Sequence, residues 1–168
     1  HALSLPHIET DTLIEDDYAS ETGERLACRD ICRIEGGAAF RAREAKAVSL
    51  LDGRDFCIVS TGGGTLLDPE SRRQLRRNAL LVYLSCPVER LWTRIATRGT
   101  PAYLTDGDPK AQFSERVRTL DDVVIPYADI VIADGGETPE GITARVIARI
   151  EEELAISASR FSATGLAL

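Results

Sequence analysis

The 168-residue sequence is 43% hydrophobic and 28% charged, a balance that is typical of one soluble globular domain and excludes a disordered chain, a fibre and a disulfide scaffold. Its 20 basic and 27 acidic residues give a formal net charge of −7 at pH 7, which disfavours nucleic acid as a partner but allows a local basic pocket for a small anion. Because no apolar run reaches the length of a membrane helix and residues 1–12 lack a signal-peptide pattern, we expect a cytoplasmic protein with no membrane partner.

Short apolar runs of strand length alternate along the chain with longer segments of helical spacing. The runs are residues 56–60 (FCIVS), 79–84 (ALLVYL) and 128–133 (ADIVIA), and the helical segments are residues 29–51, 69–77, 87–98, 109–122 and 138–154. The runs are rich in β-branched residues and apolar on both faces, which is typical of buried parallel strands. The alternation predicts a three-layer α/β/α domain around a central parallel sheet.

Two acidic residues, Glu9 and Asp11, follow the first apolar residues and precede a helix-like stretch. Acidic residues at a strand end can hold Mg²⁺ directly or through water, or accept hydrogen bonds from a hydroxylated substrate. Acidic capping of a helix start gives the same pattern.

The helical segment over residues 29–51 is interrupted by two glycines and then carries Phe40, Arg41, Arg43 and Glu44. A guanidinium beside an aromatic ring can bind a carboxylate through two parallel hydrogen bonds, while an acidic residue one turn along orients it. Solvated charges on an exposed helix face are the alternative interpretation.

Gly62, Gly63 and Gly64, here called the glycine loop, directly follow the strand predicted at residues 56–60. In an open parallel sheet, ligands bind outside the carboxyl ends of the strands, and glycine lets the backbone approach a ligand closely. The pattern favours a ligand-binding loop, with a plain tight turn as the alternative.

The acid pair, the Phe-Arg-x-x-Glu segment and the triple glycine occur in the order and at the spacing that resemble the shikimate kinase family. The resemblance covers residues 3–154. LPHIETDTLIE looks like the segment from the family's strand to its acids, GGAAFRAREA like its GExxFRxxE helix, VSTGGGTLL like its glycine motif, and LLVYLSCPVERLWTRI like the strand and helix that lead to its lid.

The resemblance implies a P-loop-kinase-like fold and the transfer of the γ-phosphoryl group of ATP, with Mg²⁺, to the 3-hydroxyl of shikimate, a small hydroxy-acid of aromatic amino-acid biosynthesis. It also implies that Asp11 is the catalytic residue that holds the substrate hydroxyls. Arg41 would bind the substrate carboxylate, the glycine loop would complete the pocket, and Phe40 would form an apolar wall. By the same resemblance, Glu9 would lie near Mg²⁺ and act indirectly, and Arg98 is the candidate cation of the lid.

The sequence departs from the family at the nucleotide site. Nowhere does it contain GxxxxGKS or GxxxxGKT, the loop whose backbone and lysine bind the phosphates on this fold, and its two lysines, Lys46 and Lys110, lie elsewhere. The family also has an arginine ahead of its last strand. Arg116 or Arg118 could correspond to it, each only if the alignment with the family is shifted. Two functions therefore stay open: a phosphotransferase, or a catalytically degenerate module that binds a small cyclic carboxylate or a partner without phosphoryl transfer.

The chain is interpreted as one shikimate-kinase-like domain over residues 1–156 and a tail of small residues over 157–168. Composition alone predicts that this tail is disordered. The alternative is a displaced segment of the helix that follows the phosphate-binding loop in the family.

Overall fold

The computed structural model describes residues 3–97, 104 and 107–163, which alternate parallel strands with helices. The strands are β1 (His7–Glu9), β2 (Ile58–Ser60), β3 (Val82–Ser85) and β4 (Ile130–Ala133). The helices are α1 (Thr10–Thr22), α2 (Cys28–Ser49), α3 (Pro69–Asn78), α4 (Val88–Ala96), α5 (Pro109–Val124) and α6 (Pro139–Ala163). Short 3₁₀ turns occupy Thr65–Leu67 and Ile125–Tyr127. The predicted α/β class is confirmed.

The strands pair in parallel as two ribbons. β1 pairs with β2, with Glu9 opposite Ser60, and β3 pairs with β4, with Ser85 opposite Ala133. Within the described residues, β2 and β3 do not pair with each other. Because each ribbon is parallel, the carboxyl ends of its two strands lie side by side, where ligands bind on α/β sheets.

Two apolar clusters hold the helices in place. Ile14 and Tyr18 of α1 pack against Ile31 and Ala47 of α2, while Phe113 and Val117 of α5 pack near Trp92 of α4. Burying one such large apolar side chain stabilises a fold by about 1.5–3 kcal/mol. The first cluster fixes α2, and with it the Phe-Arg-x-x-Glu segment, against the helix that follows β1.

The Gly-Gly break predicted within residues 29–51 is a kink inside α2. Gly36 has φ +82°, a left-handed conformation that glycine adopts without steric cost, and it separates two helical parts. The start of α3 also follows the sequence: Pro69 opens the helix and the Asp68 carboxylate accepts a hydrogen bond from the Ser71 amide at 2.7 Å.

The tail begins as helix. α6 continues to Ala163 and so includes residues 157–163 of the predicted tail. An established helix extends at little cost through residues such as Ala and Arg, which favour the conformation. Residues 164–168 lie outside the described residues. No helix in the described part of the chain is long and apolar enough to cross a membrane.

Candidate functional site

The carboxyl ends of β1 and β2 bring the acid pair and the glycine loop together. A Cβ added to Gly62 would lie 3.2 Å from Asp11 Oδ1, so the loop backbone passes close to this carboxylate. At Gly63, no described atom beyond the chain neighbours lies within 4 Å of an added Cβ. The middle residue of the glycine loop, Gly63, is therefore exposed and has open space on its Cβ side.

Thr10 connects the same two strand ends. Its side chain is buried, and Thr10 Oγ1 accepts a hydrogen bond from the Gly62 amide at 3.1 Å and donates one to the Ser60 carbonyl at 3.3 Å. In the sequence, Thr10 is simply the residue between Glu9 and Asp11. Nothing local identifies it, because both partners lie 50 or more residues away in the chain.

The Asp11 residue is exposed at the surface, while part of its carboxyl is packed against the protein. Desolvation on the packed side raises its pKa above the ordinary value of 3.8, and the negative charges of Glu15 and Glu9 raise the pKa further. A carboxylate with a raised pKa is a stronger base and accepts a proton more readily. This environment suits the catalytic role predicted for Asp11.

Glu44 of α2 faces the same space as Asp11. Glu44 Oε1 accepts a hydrogen bond from Thr65 Oγ1 at 3.0 Å and lies 3.5 Å from a Cβ added to Gly62. Burial raises the pKa of Glu44, the charge of Asp11 adds to this, and the Thr65 hydrogen bond and the arginines at 116 and 41 oppose it. Glu44 is therefore near the Asp11 carboxylate on one hand and the guanidinium groups of Arg116 and Arg41 on the other.

Arg116, not Arg118, reaches the site from α5. A Cβ added to Gly64 would lie 2.9 Å from Arg116 Nη2, whereas Arg118 pairs with Glu115 at 3.2 Å on the exposed side of the helix. α5 packs against the 3₁₀ turn that follows the glycine loop, which directs Arg116 inward. The Arg116 guanidinium therefore lies directly beside the Gly64 backbone.

Arg43 has a structural role. Its guanidinium donates two hydrogen bonds of 2.7 Å to Glu35, bonds Asp17 at 2.9 Å and Glu21 at 2.8 Å, and lies over the Tyr18 ring. The Arg43 side chain is only 14% exposed. It joins α1 to both parts of the kinked helix α2.

Arg41, on the same helix, is exposed and available to a ligand. Its charge acts on Glu44, and Arg41 Nη1 lies 3.3 Å from a Cβ added to Gly37. In the part of the chain that the structure describes, no acidic side chain forms an ion pair with Arg41. This arrangement agrees with the predicted carboxylate-binding role but does not test it.

The two arginines are expected to differ sharply when each is replaced by alanine. Arg43→Ala should lower the free energy of unfolding by about 2–4 kcal/mol, because it removes the cation that pairs with Glu35 and leaves Lys46 alone to pair with Asp17 and Glu21. Arg41→Ala, an exposed change two residues away, should alter stability by no more than about 0.5 kcal/mol. Urea unfolding of both variants measures this, and equal losses would contradict the assignment.

The other predicted site residues are only partly placed. Phe40 packs half-buried against the first apolar cluster, and Glu9 lies at the end of β1 beside Asp11. Arg98 lies outside the described residues, so its lid role stays a prediction. Among the described residues, no three His, Cys, Asp or Glu side chains come together as a metal site.

A second cluster lies at the carboxyl ends of β3 and β4. The buried Asp134 carboxylate accepts hydrogen bonds from Arg90 at 2.8 Å, Arg94 at 2.8 Å and the Gly136 amide at 2.9 Å. The Gly136 hydrogen bond, together with the Cys86 thiol and the two arginines, lowers the pKa of Asp134 to about 2. The sequence analysis did not predict this cluster. Its ion pairs connect Arg90 and Arg94 of α4 to Asp134, the residue that follows β4.

Comparison with known proteins identifies the family of this chain. The model of the family described as shikimate kinase matches residues 1–151. The chain belongs to the shikimate kinase family. Shikimate kinases of Burkholderia pseudomallei (strain 1710b) and Halorhodospira halophila (strain DSM 244 / SL1) are each 32% identical to it, over 149 and 138 residues. These matches cover 89% and 82% of this chain, and 78% of each relative.

Solved structures agree with this membership of the shikimate kinase family. Shikimate kinase from Acinetobacter baumannii in complex with shikimate superposes with a TM-score of 0.69 and 25% identity, covering 92% of this chain and 80% of that one. Shikimate kinase from Bacteroides thetaiotaomicron superposes with a TM-score of 0.70 and 20% identity, covering 92% and 86%, and supports the fold alone. The predicted P-loop-kinase-like fold is confirmed.

Proposed function

We propose that this chain binds shikimate and acts as a phosphotransferase that moves a phosphoryl group from ATP to the shikimate 3-hydroxyl. The observation that carries the proposal is the convergence of Asp11, Glu44 and Arg116 on the glycine loop, whose middle residue faces open space. Membership of the shikimate kinase family supports the same substrate.

The chemistry of the substrate matches the groups around this space. Shikimate carries one carboxylate and three hydroxyls, so it requires cationic donors for the first and acceptors for the others. Arg41 and Arg116 supply guanidinium groups, which bind carboxylates with two parallel hydrogen bonds. Asp11 accepts hydrogen bonds from the hydroxyls and takes the proton of the hydroxyl that attacks phosphorus. Glu44 lies near enough to both arginines for their charges to act on its carboxyl.

The family implies ATP and Mg²⁺ as cofactors. Glu9, at the end of β1, provides carboxylate oxygens, the ligand type that Mg²⁺ prefers, and Mg²⁺ commonly keeps several water ligands and needs few from protein. Glu9 therefore fits an indirect role, in which it would hold the metal through water. When bound, ATP supplies the phosphoryl group. We assign no residue of this chain to the ATP phosphates, since the sequence contains no GxxxxGKS or GxxxxGKT.

The second candidate function is a module that binds a small cyclic carboxylate without phosphoryl transfer. Backbone amides and a lysine that hold the phosphates contribute most of the catalysis on this fold, because phosphoryl transfer depends on positioning and charge neutralisation. Both candidates use the same substrate pocket and differ only in turnover.

A coupled assay for ADP release, run with and without shikimate and Mg²⁺, separates the two candidates. Turnover that needs both supports the phosphotransferase. Saturable shikimate binding by calorimetry without turnover supports the binding module. If neither turnover nor binding is found, both candidates are excluded.

Gly63→Ala tests the location of the pocket. The added methyl meets no protein atom in the described structure, so the variant should unfold at the native temperature. If shikimate lies against the glycine loop, the methyl should weaken binding by about 1–3 kcal/mol, the usual cost of overpacking a contact. A calorimetric titration measures this, and native affinity would place the ligand elsewhere.

A further inference from the structure

The Thr10 hydroxyl takes the place of a backbone group at the end of the β1–β2 ribbon. His7, Ile8 and Glu9 lie opposite Ile58, Val59 and Ser60, so the next partner of Thr10 in this register is Thr61. In a parallel ladder, a paired residue accepts a hydrogen bond from the amide that follows its partner. A continued ladder would therefore have the Gly62 amide donate to the Thr10 carbonyl.

That carbonyl is not available to the ribbon. α1 begins at Thr10, so its carbonyl is directed along the helix axis into the first helical turn. Thr10 Oγ1 accepts a hydrogen bond from the Gly62 amide instead, at 3.1 Å, and donates one to the Ser60 carbonyl at 3.3 Å. The Thr10 side chain thus adds one hydrogen bond to the β1–β2 ladder beyond the last pair formed by backbone groups alone.

The Thr10 hydroxyl, acting in place of the backbone carbonyl, links Asp11 to the glycine loop. Asp11 is the next residue of α1, and Gly62 is the first residue of the glycine loop. The Thr10 side chain, which is buried and only 1% exposed, therefore sets the distance between Asp11 and Gly62. The close approach of 3.2 Å between Asp11 Oδ1 and an added Gly62 Cβ depends on the same register.

We propose that Thr10 is a positioning residue that fixes the glycine loop relative to Asp11 through its hydroxyl. The inference rests on the proposed function for its effect on shikimate, but the hydrogen bond to Gly62 can be measured without a ligand. Threonine is needed for both properties: its hydroxyl provides the acceptor, and its β-branch holds that hydroxyl in few rotamers.

Three variants separate the hydroxyl from the volume of the side chain. Thr10→Val keeps the shape and removes the acceptor, Thr10→Ser keeps the acceptor, and Thr12→Val is the matched control on the same helix. Two measurements are made on each: the amide exchange rate of Gly62 by NMR without ligand, and the dissociation constant of shikimate by calorimetry. If Thr10→Val does not fold, Thr10→Ala replaces it.

We expect faster Gly62 exchange in Thr10→Val and shikimate binding that is weaker by about tenfold, since a partly buried donor loses its acceptor. Thr10→Ser and Thr12→Val should keep native values of both. Unchanged Gly62 exchange in Thr10→Val overturns the inference, as does native shikimate affinity in that variant. If the native protein itself does not bind shikimate, the proposed function fails, and Gly62 exchange alone decides the role of Thr10.

Discussion

Replacing Asp11 by asparagine is expected to lower turnover of shikimate by about 10²–10⁴-fold, the usual contribution of a general base. The reason is that asparagine keeps the size of the side chain but cannot accept the proton of the attacking hydroxyl. The coupled assay at saturating shikimate measures this. A turnover number within a few-fold of native would remove Asp11 from the chemistry.

The same variant is expected to be more stable than the native protein at neutral pH. Since the folded-state pKa of Asp11 is raised, the folded protein binds the proton more tightly than the unfolded chain, and ionisation destabilises the fold as pH rises through that pKa. Asp11→Asn removes this charge. Its gain in melting temperature should therefore shrink as pH falls towards the ordinary pKa of aspartate.

A matched control keeps this test specific. Asp52→Asn changes an exposed aspartate in the turn after α2, and it should alter neither turnover nor melting temperature. A gain in melting temperature for Asp11→Asn that is the same at every pH would show that the effect does not come from the carboxyl's ionisation.

Arg116→Ala is expected to weaken shikimate binding by about 2 kcal/mol, or about 30-fold in Kd, the value of a charge-assisted hydrogen bond lost from a partly exposed site. The geometry is the reason, because Arg116 Nη2 lies within 2.9 Å of a Cβ added to Gly64 and its charge acts on Glu44. Calorimetry with shikimate, without nucleotide, measures the loss directly.

Arg118→Ala is the matched control on the same helix. Arg118 and its partner Glu115 are 70% and 72% exposed, and such a pair contributes at most about 1 kcal/mol to stability and nothing to a ligand elsewhere. Native affinity is expected for Arg118→Ala. Equal losses in the two variants, or a loss only in Arg118→Ala, would contradict the assignment of Arg116.

Regular elements could be predicted where hydrophobic spacing is long enough to show a period. The runs at residues 56–60, 79–84 and 128–133 each overlap an observed strand, and the helix starts at Pro69 and Pro109 carry their own capping signals. β1 could be anticipated only as an apolar start before two acids, since three residues show no period.

The side chains of the site were predictable only in part. Asp11 and the glycine loop follow strand ends and were recognised for that reason. The choice between Arg116 and Arg118 depends on which side of α5 packs against the turn after the glycine loop, and no local pattern contains that information. Thr10 and Asp134 escaped prediction because their partners become neighbours only when the ribbons form.

The most direct test of the shikimate site is a calorimetric titration of the native chain with shikimate, repeated with Gly63→Ala and Arg116→Ala. Saturable one-to-one binding by the native chain, weakened in both variants while their unfolding temperatures stay near native, is the predicted result. No binding by the native chain, or binding that neither variant weakens, would contradict the site formed by Asp11, Arg116 and the glycine loop.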